Sequence, residues 1–136
     1  ESVPLELLDL VDVLIPNQTE LELIGGNRKV DTLESISELA KTFPCSSTIV
    51  TLGERGAVVV ASNEAVHIPA PTISPLDTTG AGDSFCAAIA VSLVEGKDLV
   101  EAAQWAVQVG AATTLVAGAQ PSLPTSEEVR QRLEDW

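Results

Sequence analysis

The segment Asp77-Thr-Thr-Gly-Ala-Gly-Asp-Ser-Phe85 sets two glycines and an alanine directly ahead of and beside an acid. It stands at the head of an apolar stretch, Ser84 to Val94, long enough for a helix. A chain written this way turns tightly and then starts a helix with no bulky side chain over its first amides. Such a start is an anion site, because its N–H groups and the positive end of the helix dipole meet a phosphoryl group at close range. Asp83 sits inside the turn, where a carboxylate takes a proton from an attacking hydroxyl. Anion cradle and base together point to phosphoryl transfer. The same residues also read as plain structure. Glycine-rich turns before helices are common, and an Asp in the first helical turn is favoured by the dipole alone.

Two rival glycine motifs fail. A P-loop needs Lys-Ser/Thr after its last glycine, whereas Gly82 is followed by Asp83 and Ser84. A dinucleotide fingerprint needs a small third residue for close packing of helix on strand. Phe85 holds that place, and Pro75 breaks up the strand expected before the turn.

Strand-like and helix-like segments alternate along the chain. Ser2 is expected to cap a first helix, with Pro4 near its start and Leu5, Leu8 and Leu10 among its apolar positions. Val11 to Ile15 reads as a short strand buried on both faces and ended by Pro16. Asn17 to Ile24 reads as a short helix stopped by Gly25-Gly26. Asp31 or Thr32 caps an amphipathic helix whose Leu33, Ile36, Leu39, Ala40 and Phe43 share one face, with Pro44 as terminator. Ser47 to Leu52 is a second buried strand, and the turn Gly53-Glu-Arg-Gly56 follows. Ala57 to Ala61 and Ala65 to Ile68 form a hairpin around Ser62-Asn63-Glu64. Pro69 to Pro75 is an extended connection. Two long helices, Ala81 to Glu95 and Leu99 to Val116, flank Gly96. Thr125 and Glu128 make a capping box for a last helix carrying Val129, Leu133 and Trp136. This order predicts an α/β layered fold with a mostly parallel sheet, residues 1–136 forming a single domain.

Taken whole, the nine-residue string resembles the C-terminal signature of the ribokinase family, the PfkB-type carbohydrate kinases. The resemblance implies a three-layer α/β/α ribokinase-like fold. It implies Asp83 as the base for a primary hydroxyl of a sugar, and Gly80, Ala81 and Gly82 as the anion hole. Asn17-Gln-Thr-Glu20 reads by itself as a capping box, and it is also similar to the N-x-x-E segment of the family. By that likeness Glu20 orders Mg²⁺ through its waters and Asn17 faces the nucleotide phosphates; the two readings are compatible. Thr51-Leu-Gly-Glu-Arg-Gly56 reads as a hairpin entry and is similar to the T-L-G-x-x-G segment that lines the ATP site, which implies roles for Thr51, Gly53 and Gly56. Arg55 is an optional positive charge near the phosphates. Gly118-Ala-Gln-Pro-Ser-Leu-Pro124 reads as a helix cap and loop. It is similar to the segment that joins the Asp-Thr-Thr loop to hold a monovalent cation, usually K⁺. That likeness implies Asp77, Thr79 and the Ser122 hydroxyl, with Thr113, Val116 and Gly118 through backbone carbonyls. The chain departs from the family where a polar residue often borders the adenine, since the best register puts Val107 there. His67, the only histidine, reads as a surface strand residue.

Composition narrows the partners. Hydrophobic residues make up 45% of the 136 and charged residues 20%, as in a globular chain. The net charge of −13 and seven scattered basic residues leave no patch for nucleic acid or anionic lipid. An acidic chain that binds ATP needs backbone amides and cations for its positive field, so a metal dependence is expected. No apolar run reaches membrane-spanning length and Glu1 opens no signal peptide. Cys45 and Cys86 lack metal spacing, and Cys86 reads as a small core residue, so a reducing, cytoplasmic setting is expected.

The resemblance covers only about the C-terminal half of a family member, and the chain has no Met. A processed product, an excised piece or one part of a larger protein is therefore expected, with the N-terminal half as partner and a homodimer possible at full length. Such a piece is expected to be inactive by itself. The preferred reading is an ATP-dependent sugar kinase, with ribose favoured by residues 118–124. A family kinase for fructose, a nucleoside or another polyol is the second reading. A non-catalytic nucleotide-binding or interaction module is the third.

Overall fold

The computed structural model describes residues 3–134, which form two compact units bounded as Glu1–Ile68 and Pro69–Trp136. Ser2 and Trp136, expected at the two ends of the helical framework, lie outside the described residues, as does the side chain of Leu5.

The first unit runs α1 (Leu5–Leu8), β1 (Val13–Leu14), α2 (Gln18–Ile24), α3 (Leu33–Ala40), β2 (Ser47–Thr51), β3 (Ala57–Ala61) and β4 (Glu64–Ile68). Its sheet has the order β1-β2-β3-β4, with β1 parallel to β2 and the other two pairings antiparallel. The sheet is therefore mixed and not mostly parallel. The cause is local. Ser62 and Asn63, at φ 50° and 65°, close a two-residue turn, and a tight turn joins only antiparallel neighbours. Glu64, expected in the turn, pairs with Ala61 instead. Ile49, Val50, Ala57, Val58 and Val59 are all buried, so β2 and β3 are covered on both faces, as their unbroken apolar runs require. The expectation that β1 is buried on both faces fails. It pairs only with β2 among the described residues, over two positions, and its residues are half-buried.

Thr32, not Asp31, caps α3, exchanging hydrogen bonds with Ser35. Ile36, Leu39, Ala40 and Phe43 join Leu8, Leu21, Val30, Val50, Leu52, Val58 and Val60 in one core. Leu33, at the first turn of α3, is exposed instead. Leu10 is also exposed, because α1 stops at Leu8 and no longer sets its direction.

The second unit holds an extended segment, α4 (Ala81–Val94), α5 (Leu99–Thr113), a 3-10 turn (Gln120–Ser122) and α6 (Ser126–Glu134). Phe85, Ala88, Ile89 and Ser92 form the buried face of α4, and Ala102, Ala103, Ala106, Val107, Val109, Ala112 and Thr113 that of α5. At the helical period, Cys86 falls outside the buried face of α4 and is exposed, which corrects its reading as a core residue. Helix α5 ends at Thr113 and not at Val116, because the Thr114 carbonyl accepts from the amides of Leu76 and Asp77 at 2.8 and 3.1 Å. Those bonds take the acceptor that a continuing helix would use for Gly118. The Thr125–Glu128 capping box forms as expected. No helix among the described residues is long and apolar enough to cross a membrane.

Candidate active site

In the second unit, the residues singled out by sequence converge on the start of α4. Gly80 is the N-cap and sits at φ 82°, a left-handed conformation that glycine adopts without steric cost. A Cβ there would lie 3.5 Å from the Ala119 carbonyl and 3.6 Å from Ser122 Oγ. Gly82 faces open space, with nothing within 4 Å of the position a Cβ would take. The Ala81 amide reaches the Thr78 carbonyl at 3.3 Å, and the Ser84 amide reaches the Gly80 carbonyl at 2.9 Å. The amides of Gly80, Gly82 and Asp83 meet no acceptor among the described residues. The open donors are thus Gly80, Gly82 and Asp83, while Ala81 is partly committed. Asp83 occupies the third position of α4; its carboxylate is exposed and unpaired among the described residues.

The loop before the turn is held by Asp77. Its Oδ1 accepts from the Thr79 amide at 3.0 Å and its Oδ2 from the Gly118 amide at 2.8 Å. The Gly118 amide, then the Thr79 amide and hydroxyl, hold this carboxyl below its ordinary value. Each carboxylate oxygen accepts one amide and keeps a further lone pair, so Asp77 has both side-chain and backbone oxygens to offer a cation. Ser122 is fully buried, and its hydroxyl donates to the Ala119 carbonyl at 2.6 Å, keeping lone pairs on the oxygen. The Thr113 hydroxyl is 2.8 Å from both Ser84 Oγ and the Val109 carbonyl, and its own carbonyl accepts from the Val116 amide at 3.3 Å. Of the expected cation-site residues, Thr113 is therefore the one least open to a cation. Asp77, Thr79 and Gly118 are drawn together by the bonds just given, Ser122 comes near them only through its approach to Gly80, and Val116 lies on the same connecting segment.

Val107 is only 7% exposed. It lies on α5 one turn before Gly110, where a Cβ would come within 3.6 Å of the Ala81 carbonyl and 4.0 Å of Phe85. With so little surface exposed, Val107 is mainly a packing side chain in this chain. Gly110 escaped the sequence reading. A glycine inside an otherwise good helix was the available signal, since it weakens the helix unless close packing requires it.

In the first unit, Asn17 caps α2 and makes a parallel bridge to Thr51, and the Thr51 amide donates to the Pro16 carbonyl at 3.0 Å. Both residues follow the carboxyl ends of the parallel pair β1 and β2, the usual ligand-binding edge of an open α/β sheet. Asn17 Oδ1 accepts from the Glu20 amide at 2.9 Å, and Glu20 Oε2 accepts from the Asn17 amide at 2.8 Å. One carboxylate oxygen of Glu20 is thereby committed and the other points outward from an exposed residue. Gly53 and Gly56, at φ 59° and 87°, shape a 3-10 turn in which the Leu52 amide donates back to the Gly56 carbonyl at 2.8 Å. Arg55 is tied to the residue next to Asn17. Its guanidinium bonds the Gln18 side chain and the Asp31 carbonyl. His67 is exposed on β4, with Nε2 2.8 Å from the Arg55 carbonyl. Among the described residues no cluster of three His, Cys, Asp or Glu side chains is placed to hold a metal.

Residues 1–126 match the model of the pfkB family carbohydrate kinases. The chain belongs to the pfkB family. The pfkB relatives include a ribokinase of Staphylococcus aureus, 36% identical over 96% of this chain and 44% of that protein. Among solved pfkB structures, the ribokinase of Arabidopsis thaliana complexed with ribose and ATP superposes with a TM-score of 0.89 at 35% identity, covering 98% of this chain and 44% of that one. Phosphofructokinase-2 from Escherichia coli in complex with potassium gives a TM-score of 0.81 at 26% identity, covering 94% and 42%. The chain therefore has a ribokinase-like α/β fold, and it spans less than half the length of the curated relatives it matches.

Proposed function

We propose that residues 1–136 are the C-terminal, ATP-binding and catalytic half of a sugar kinase, folding as one domain and completed by an N-terminal half. The observation that carries this reading is the start of α4. Three amides without internal acceptors, at Gly80, Gly82 and Asp83, share the first turn of one helix with the Asp83 carboxylate, which has no partner among the described residues. In a family of carbohydrate kinases, that arrangement fits transfer of the γ-phosphoryl of ATP to a primary hydroxyl of a sugar. As the hydroxyl oxygen bonds to phosphorus, its proton passes to Asp83, and the bond from phosphorus to the β-phosphate oxygen breaks to release ADP. The amides bind the charge on the transferring group. Asp83 serves in its ionised form, because the hydroxyl becomes acidic only as the new bond forms.

Asn17, Thr51, Gly53 and Gly56 are assigned to ATP. Glu20 is assigned to Mg²⁺ through water, its uncommitted carboxylate oxygen accepting from the water shell that the ion keeps. The oxygens of Asp77, Thr79, Val116, Gly118 and Ser122 fit a monovalent cation such as K⁺, with Thr113 a weaker member. Such ions, when bound, supply positive charge beside the phosphates that a chain of net charge −13 otherwise lacks. A reducing, cytoplasmic setting belongs to the same reading; neither cysteine forms a disulfide.

The need for a companion is supported by α4 itself. Opposite its buried face, Ala87, Ala90, Val91 and Val94 are exposed, with Val94 at 90%. A helix that is apolar on all sides belongs in an interior. The isolated chain is accordingly expected to show little or no sugar phosphorylation. Ribose is the favoured acceptor, supported by the ribokinase relatives. The test is phosphoryl transfer by the assembled kinase to ribose, deoxyribose, fructose and nucleosides, with and without K⁺, for wild type and Asp83→Ala. Transfer lost in the variant supports the reading. Nucleotide binding without transfer to any acceptor would favour a non-catalytic module instead.

A further inference from the structure

We infer that Arg132 is a positioning residue, holding the 114–122 segment in the shape that seats Ser122 against the Gly80 turn. The side chain reaches inward from α6 and is 17% exposed. Its Nη1 donates to the Ser122 carbonyl at 2.7 Å and to the Ala112 carbonyl at 3.3 Å, and Nη2 lies 3.4 Å from Glu128 Oε1. One nitrogen thus ties the last turn of α5 to the 3-10 turn.

The chemistry suits a guanidinium. The Ala112 carbonyl also takes the Thr114 and Leu115 amides, and it lies at the C-terminal end of α5, where the helix dipole favours a cation. A planar group with two N–H donors on one nitrogen meets two carbonyls at fixed directions, whereas an ammonium on a flexible stem fixes neither direction. What Arg132 fixes is passed on. Ser122 is fully buried, and its Oγ lies 3.6 Å from the place a Cβ of Gly80 would take. Gly118, between the two anchored carbonyls, donates to Asp77, which in turn receives the Thr79 amide next to Gly80. Without Arg132, two carbonyls lose a charged donor and the segment that backs the turn is held from one end only. The further consequence, that the turn then binds phosphate less well, rests on the kinase reading. The dependence of the loop on Arg132 does not.

The test is amide hydrogen exchange on the 136-residue chain as wild type, Arg132→Ala, Arg132→Lys and Glu128→Gln. Magnesium with a non-hydrolysable ATP analogue, AMP-PNP, is then titrated into each. In Arg132→Ala the amides of Gly118 and Ser122 should exchange about tenfold faster or more, while those in the middle of α4 and α5 keep their rates. Arg132→Lys should recover only part of that protection, and Glu128→Gln, which spares both carbonyl bonds, should keep it. AMP-PNP should bind Arg132→Ala about fivefold or more weakly than wild type. Wild-type exchange at Gly118 and Ser122 in folded Arg132→Ala would overturn the inference, as would uniform acceleration across the second unit. If Arg132→Ala does not fold, Arg132→Lys carries the same comparison with the same two outcomes. If wild type itself binds no AMP-PNP, the phosphate reading fails while the exchange pattern still decides the role of Arg132.

Discussion

Gly80 and Gly82 stand two positions apart and answer to different constraints. Gly80 is needed for its backbone, at φ 82°, and Gly82 for the open space above it. Gly80→Ala should therefore cost about 1–2 kcal/mol of stability, the cost of a left-handed L-residue. Gly82→Ala should leave stability unchanged or raise it by up to about 1 kcal/mol, because alanine is the better helix former. Yet in the assembled kinase Gly82→Ala should depress phosphoryl transfer, since its methyl group stands where the anion approaches. Denaturant midpoints and kcat for the two variants check this pair. Asp83→Ala should lower kcat by about 100- to 10,000-fold with little change in KM, the mark of a group needed in the transition state. At this scale the glycine turn was legible because its residue types admit few conformations. Cys86 was misread because α4 is apolar on nearly every side, so its residue types do not say which face is buried. Arg132 stayed hidden because its partners are backbone carbonyls, which leave no trace in residue identity.

Among the elements, α4 carries one buried flaw. The Ser92 hydroxyl is fully buried and has no partner among the described residues. An unsatisfied buried polar group costs about 1–3 kcal/mol, and alanine fits a helix better than serine. Ser92→Ala should thus raise stability by about 1 kcal/mol, read from the urea midpoint; a loss of stability would mean that the hydroxyl has a partner in solution. Capped helices were the most legible elements. Asn17, Thr32 and Thr125 each make the cap that a side chain accepting from a backbone amide predicts. Strand direction was less legible. The alternation of strands and helices suggested parallel pairing, while a turn as short as Ser62-Asn63 dictates the opposite. The length of α5 was misjudged for a related reason, since the acceptor that ends it is claimed by amides 37 and 38 positions earlier in the chain.

For the molecule as a whole, acid sensitivity follows from three carboxylates. Lys29, then the Val30 amide, hold the buried Glu22 below its ordinary value of 4.5. Asp77 is lowered by Gly118 and Thr79, and Glu128 by the Thr125 amide and hydroxyl, then Arg132. A carboxylate whose folded pKa is depressed lends stability above its unfolded pKa and loses it as pH falls through the folded one. The urea midpoint should stay level above about pH 5 and fall progressively below about pH 4. Glu22→Gln should lower it at neutral pH and make the acid limb shallower. An unchanged acid slope in that variant would mean Glu22 titrates alike in both states. The family and the α/β fold were legible because four separated segments agreed, from Asn17 to Pro124. The sugar was less legible, since the segments that resemble the family were read for phosphoryl and cation binding and only residues 118–124 tilted towards ribose.

Every functional assignment comes back to the amides at the start of α4. The most direct measurement is a ¹⁵N-resolved titration of the 136-residue chain with magnesium and AMP-PNP. The account predicts saturable shifts at the amides of Gly80, Gly82 and Asp83. Saturating nucleotide that moves none of the three α4 amides, or that moves them equally in Gly82→Ala, would contradict it.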